Sequence, residues 1–578
     1  MKKVFLSLLV ALLAVSSVFA GGSSESAPAG VSDAAAETVF AGGWPYSTVP
    51  TGHFNMFVSN AIELKFWREV HQLPLATYDA STGEYNPMLA ESWEISDDGT
   101  VYTVHLRDDA KWLSGEDFTS KDVWTTFMIY RLVGNPVWNY ISGMNIVDDY
   151  TIEFSISNPT TMLHRYILRK PIVDYLTYGS FADRADEIFS AGLGTDSAEY
   201  NELVSQFNTF RPDFVNATGP YYLDPDLVSQ SYVEMPKNPN SFLADVVQFD
   251  KLIIYNGDVP DLTPLVLNKQ VDYLTHQFPS SSIETFKALG YKTIQIQGMD
   301  GIAMYFNCAL EPLDSTAVRQ AISYVIDRER VGQLALPGVT RGAKYVSGLG
   351  DSMTETWVDT SLLDNYDVDY DKAAALLEGE GLYKEDGQWY LPDGKQFTLQ
   401  VQCPASWSDA SAAASEIAQQ LTNFGIKTTF IGIEESQRQT NINEGNFQLA
   451  LSFFGTAQPH PMFAFETPLL MSNVNASHGL GYSMIQETED YGTLDLEELI
   501  YESTEGWDEE AQKESIEKLV VTLNKTVPYL PLYTKWSQNL SSDGLRTQWT
   551  GDEGIYLNSP GDDSFTVIKL LSGDIRPL

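Results

Sequence analysis

The stretch Tyr85 to Arg131, YNPMLAESWEISDDGTVYTVHLRDDAKWLSGEDFTSKDVWTTFMIYR, constrains the fold of this 578-residue chain more than any other. Trp93 and Ile95 alternate with polar neighbours. Asp97-Asp98-Gly99 is a turn signal, because glycine tolerates the positive φ of a tight hairpin. Beyond the turn, Val101, Thr103 and His105 point one way and Tyr102, Val104 and Leu106 the other. The pattern predicts a hairpin with one aromatic-rich buried face. A Ser114-Gly115 turn follows Trp112. Thr119-Ser120-Lys121-Asp122 reads as a capping box, with Asp122 reaching back to the start of a helix. Val123, Trp124, Phe127, Met128 and Tyr130 then recur at helical spacing. Taken physically, this is a strand–turn–strand–turn–helix unit with no chemistry of its own.

Residues 1–20 predict an export signal: Lys2-Lys3, an apolar run from Val4 to Val18, and small residues around Ala20. No other run reaches the roughly 18 apolar residues of a membrane span. No cysteine stands near the cleavage point to be lipidated, so the expected product is a freely diffusing periplasmic protein. Residues 21–37 are small, polar and aromatic-free, a composition expected to stay disordered. The whole chain is 43% hydrophobic, ample for more than one core. The formal charge of −43 repels nucleic acid and anionic headgroups and favours solubility. A monomer without cofactor is expected. The two cysteines, Cys308 and Cys403, lie in apparent strands and would bridge only if those strands are neighbours.

Further along, Pro171 should interrupt a helix begun near Leu163. The segment Ser190 to Asn208 reads as polar surface. Ile302 to Leu336 predicts a buried strand and then a helix, with Val318, Ala321, Ile322 and Val325 on one face and Arg319 and Arg328 on the other. A strand–helix–strand rhythm from Phe397 to Ile433, with Gly425 at a helix C-terminus, argues for a parallel or mixed sheet.

Two ordered segments carry a family resemblance. N-P-x-L-A-x-S-W-E-x-S-D-D-G-T-x-Y-T from Asn86, continuing through Lys111-Trp112 and Gly115-Glu116, resembles the signature of the family 5 extracellular solute-binding proteins. V-R-Q-A-I-S-Y-x-I-D-R from Val318 resembles a second signature of that family. Weaker echoes follow at Thr218-Gly219-Pro220-Tyr221, at Asn238-Pro239-Asn240 and at Val527-Pro528-Tyr529-Leu530-Pro531; Lys269-Gln270 departs from the family's glycine. The resemblance implies an α/β, two-lobe periplasmic-binding-protein fold with mixed sheets. The expected domains are lobe I (38–300 plus 536–578, with a subdomain at about 80–215) and a smaller lobe II (301–535), joined by crossing hinge strands. It also implies capture of a small ligand, delivered to an ABC-transporter membrane permease; the family serves peptides, oligosaccharides and nickel.

The same resemblance places a ligand cleft after the first strand, making Trp44, Tyr46 and Asn55 candidates, and in the second lobe Trp407, Phe453, Phe454, His460 and Trp536. In peptide-binding members an acid after the Phe447 strand holds the ligand's α-amino group. Here Phe454, Gly455, Thr456, Ala457 and Gln458 supply no carboxylate, and an ammonium buried without a counter-charge is costly. With 12 Trp and 30 Tyr available to stack on sugar rings, an oligosaccharide is the expected ligand and a peptide or nickel complex the alternative. A secreted glycoside hydrolase shares the export signal, size and aromatics but not the two ordered segments. The seven histidines form no H-E-x-x-H set, and neither a nucleophile elbow nor a phosphate loop occurs. No catalytic residue is assigned.

Overall fold

Val39–Gly43 lies inside the first of two six-stranded sheets, parallel to both its neighbours. In order, that sheet runs Lys292–Ile296, Ser537–Ser541, Tyr273–Leu274, Val39–Gly43, Lys251–Tyr255 and Tyr232–Pro236. Its centre is so tightly covered that a Cβ on Gly42 would meet the Trp67 ring at 2.4 Å. The computed structural model describes residues 37–49, 51–276, 278–558 and 563–578. The expected signal and nearly all of the expected leader lie outside those residues. Thr38–Leu578 form one compact unit.

The second sheet runs Thr340–Gly342, Tyr529–Lys535, Asp300–Phe306, Leu449–Gly455, Thr398–Pro404 and Lys427–Ile433. Asp300–Phe306 is antiparallel to both of its neighbours, whereas Thr398–Pro404 is parallel to both of its own. The mixed sheet follows from the strand–helix–strand unit read in the sequence. Helix Ser408–Phe424 links the two parallel strands and ends at Gly425, whose φ of 110° needs a residue without a Cβ. The chain passes from the first sheet to the second between Ile296 and Asp300 and returns between Lys535 and Ser537. Each sheet has its own apolar core, so the fold is α/β with two lobes.

The opening hairpin forms as its periodicity dictates. Ala90–Ile95 pairs with Val101–Leu106, and Tyr102, Val104 and Leu106 face inward. Thr151–Ile156 and Ile141–Asp148 extend it to four antiparallel strands. The capping box is present: the Thr119 N–H donates to the Asp122 carboxylate at 2.9 Å at the head of helix Ser120–Leu132. That carboxylate also accepts from Trp112 Nε1 and from the Tyr175 N–H, so it fastens the preceding loop, this helix and the next helix together.

Three expectations are corrected. Cys308 and Cys403 are buried free thiols; Leu449–Gly455 lies between the two strands that lead to them. Ser190 to Asn208 is not mere surface, since helix Ala198–Thr209 buries Leu203 and Phe207, one turn apart. Arg319 and Arg328 are not on a solvated face. Both are buried, and the Arg319 guanidinium donates to the carbonyls of Leu313, Asp314, Thr526 and Val527.

Candidate functional site

A cavity of about 1110 Å³ opens where the second lobe meets the first lobe and its four-stranded subdomain. The first-lobe side supplies Arg68, Glu69, Tyr78, Tyr85, Trp93 and Tyr130, and the segment Thr161 to Pro171 forms one wall. The second lobe supplies Trp357, the loop Thr456 to Glu466, Trp507 and Glu509.

The Thr161–Pro171 wall is built by helix Met162–Leu168, which ends before Pro171. Leu163, Ile167 and Leu168 are buried in the first-lobe core. Spacing by four then puts Arg165 and Arg169 on a shared face. Arg165 donates to Gln458 Oε1 of the second lobe at 3.1 Å and to the Asp563 carboxylate at 2.8 Å. Arg169 pairs with Glu69 at 2.7 Å, donates to the Ala76 carbonyl at 3.0 Å and pairs with Asp563. Lys170 Nζ stands 5.7 Å from the ring centres of both Tyr130 and Tyr166. His164 bonds Tyr102 Oη through Nδ1 at 2.8 Å and meets the Trp507 ring edge-on. Trp507 in turn donates to the Gly99 carbonyl in the hairpin turn. Thr161 donates to Gln512 at 2.8 Å, a further hydrogen bond between the two walls.

The opposing loop is aimed by Gly455, where a Cβ would strike the Met299 carbonyl oxygen at 2.3 Å, and by Pro459 and Pro461. His460 packs edge-on against Trp357, with ring centres 5.0 Å apart. Burial pushes its imidazole down to about 4, so it is neutral at physiological pH and serves as a hydrogen-bonding wall group rather than a charge. Glu466 is the acid this loop brings into the cavity, and burial raises its carboxyl above the usual range.

Of the eight residues singled out in the sequence, His460 lines this cavity and seven lie elsewhere. Trp44 packs against Phe66 and His276 in the first lobe. Tyr46 is held by Asn256 and donates to the Ser229 carbonyl. Asn55 is fully buried and bonds the carbonyls of Phe207 and Phe210. Phe454 sits in the second-lobe core. Trp407 and half-exposed Phe453 pack on each other at 5.0 Å, with the Arg438 guanidinium 5.2 Å from each ring. Trp536, at the crossover, lies under Arg341. Sequence reading missed the basic wall. Its signal was three basic residues within His164-Arg165-Tyr166-Ile167-Leu168-Arg169-Lys170, in a chain with 78 acids against 35 bases.

Residues 84–476 match the model of the Bacterial extracellular solute-binding proteins, family 5 Middle, and the chain belongs to that family. Its members are substrate-binding proteins of ABC importers rather than enzymes. The dipeptide-binding protein of Escherichia coli (strain K12) is 23% identical over 434 residues, covering 71% of this chain and 74% of that protein. The periplasmic alpha-galactoside-binding protein of Rhizobium meliloti (strain 1021) is 23% identical over 428 residues, 65% of this chain and 58% of that protein. In fold, the chain resembles the periplasmic oligopeptide-binding protein of a Thermotoga maritima ABC transporter. That structure is 19% identical, spans 94% of this chain and 99% of its own, and has a TM-score of 0.69. A mannohexaose-bound structure of it, with the same identity and coverage, gives 0.60. No helix among the described residues is long and apolar enough to cross a membrane.

Proposed function

We propose that this solute-binding protein acts in the periplasm as a monomer, holding an oligosaccharide in the cavity between its lobes and passing it to an ABC-transporter permease. The lobe boundaries that go with this reading are 38–300 plus 536–578, with the subdomain at about 80–215, and 301–535. The observation that carries it is the aromatic lining: Tyr78, Tyr85, Trp93, Tyr130, Tyr166, Trp357, Phe463 and Trp507 are spread over both sides of the cavity. Aromatic faces of that kind stack on the apolar faces of sugar rings. Support also comes from the alpha-galactoside-binding relative and the mannohexaose-bound neighbour. In the stretch where peptide binders of the family carry an acid, this chain has Phe454, Gly455, Thr456, Ala457 and Gln458, with no carboxylate, and Gln458 accepts from Arg165.

A peptide is the second reading. Glu466 in the cavity wall is a carboxylate available to an α-ammonium, and the dipeptide-binding relative points the same way. A thermal-shift screen of residues 21–578 against malto-, xylo-, manno-, galacto- and galacturono-oligosaccharides and a di- to pentapeptide pool separates the two. Saturation at a thousand times the dissociation constant stabilises by roughly 4 kcal/mol. The oligosaccharide reading expects a shift with one sugar series, recovered intact. A shift with peptides alone replaces it with the second reading.

A further inference from the structure

The basic side chains of the cavity are not equivalent. Arg165 and Arg169 share Asp563, and Arg169 also holds Glu69. Among the acids, Glu509 is taken by Lys513 at 3.0 Å. Arg68 stands apart. It is half-buried, joins no ion pair among the described residues, and its Nε is buried without a hydrogen-bond partner. It lies near enough to Tyr130 for its charge to oppose the rise that burial imposes on that hydroxyl. Lys170 faces the same Tyr130 ring. A guanidinium drawn out of water without a counter-charge is unfavourable unless something supplies one. The remainder of the molecule does not attract anions, since its formal charge is −43. A cation left unanswered in the ligand cavity of so acidic a protein is therefore a local recognition device.

We propose that the captured solute carries a carboxylate, and that Arg68 is the seat of that group. The planar guanidinium fork matches a carboxylate in two parallel N–H···O bonds, which a hydroxyl-only sugar cannot supply. The inference rests on the cavity being the ligand site. The carboxylate belongs either to an acidic sugar unit or to a peptide C-terminus, and the two sources separate experimentally.

Binding is measured by calorimetry on residues 21–578 with four probes: trigalacturonate, its uncharged methyl ester, trialanine and trialanine amide. Wild type is compared with Arg68→Gln and Arg68→Lys, each first shown to unfold cooperatively. In at least one pair the acid is expected to bind about 10- to 100-fold more tightly than its neutral partner. Arg68→Gln erases that preference and Arg68→Lys retains part of it. Equal binding within both pairs, a preference untouched by Arg68→Gln, or no binding of any probe overturns the proposal. An Arg68-dependent preference in the peptide pair alone upholds it while removing the oligosaccharide reading. Equal binding of trigalacturonate and its ester, with neither peptide probe bound, overturns the proposal and leaves the oligosaccharide reading standing.

Discussion

Replacing Arg319 by methionine lowers the unfolding free energy by about 3–5 kcal/mol, the largest effect expected of any single substitution outside the cavity. The guanidinium is buried and donates to Leu313 O at 2.8 Å, Asp314 O at 2.9 Å, Thr526 O at 2.7 Å and Val527 O at 3.1 Å. Two of these carbonyls close helix Glu509–Thr526, whose C-terminal end attracts positive charge. Val527 itself sits at φ 45°, a conformation unfavourable for a β-branched residue, and the three bonds from Arg319 to Thr526 and Val527 help to hold it there. Methionine keeps the stem and removes every donor. Arg319→Lys recovers only part of the loss, because one ammonium cannot span four separated carbonyls. Denaturant unfolding of residues 21–578 measures both; a methionine variant within about 0.5 kcal/mol of wild type contradicts the role assigned.

Acid destabilises the fold through two buried histidines. Burial holds His71 down to about 3, with the neighbouring Arg68 charge adding to the effect, and holds His460 down to about 4. In the unfolded chain both take a proton near 6.5. Below that value the unfolded state binds more protons than the folded state, so stability is full above it and falls as the pH drops. Each histidine contributes about 1.4 kcal/mol of loss per pH unit until its folded value is reached. Asp122, raised to about 6 by burial, works in the opposite sense between 6 and its ordinary range. His71→Gln and His460→Gln are each expected to close on wild type by about 1.4 kcal/mol per unit between pH 6 and pH 4. Parallel pH profiles for wild type and variants refute the buried, neutral assignment.

The parts of the fold written in local periodicity were legible. Tyr102, Val104 and Leu106 face inward because the strand repeat allows nothing else, and the Thr119–Asp122 box needs only four residues to declare itself. Arg319 was misplaced for the opposite reason: two of its acceptors, on Thr526 and Val527, lie some two hundred residues away. The site divides in the same way. His460 was legible as a loop residue fixed between prolines. The aromatic emphasis led to Trp407 and Phe453, which pack on each other, and past Arg68 and past Arg165 and Arg169, the last two paired with Asp563 at the far end of the chain. Whether an arginine is neutralised is a tertiary fact, and no spacing in its own segment records it.

The central claim is that solute sits in the cavity between the lobes. Amide hydrogen exchange on residues 21–578, with and without the ligand identified by the thermal-shift screen, tests it most directly. Residues 65–70, 161–171 and 456–466 are expected to slow together on binding, because they form opposite walls of one space. Protection confined to the Trp407–Phe453 face, with those three segments unchanged, contradicts the assignment of the site.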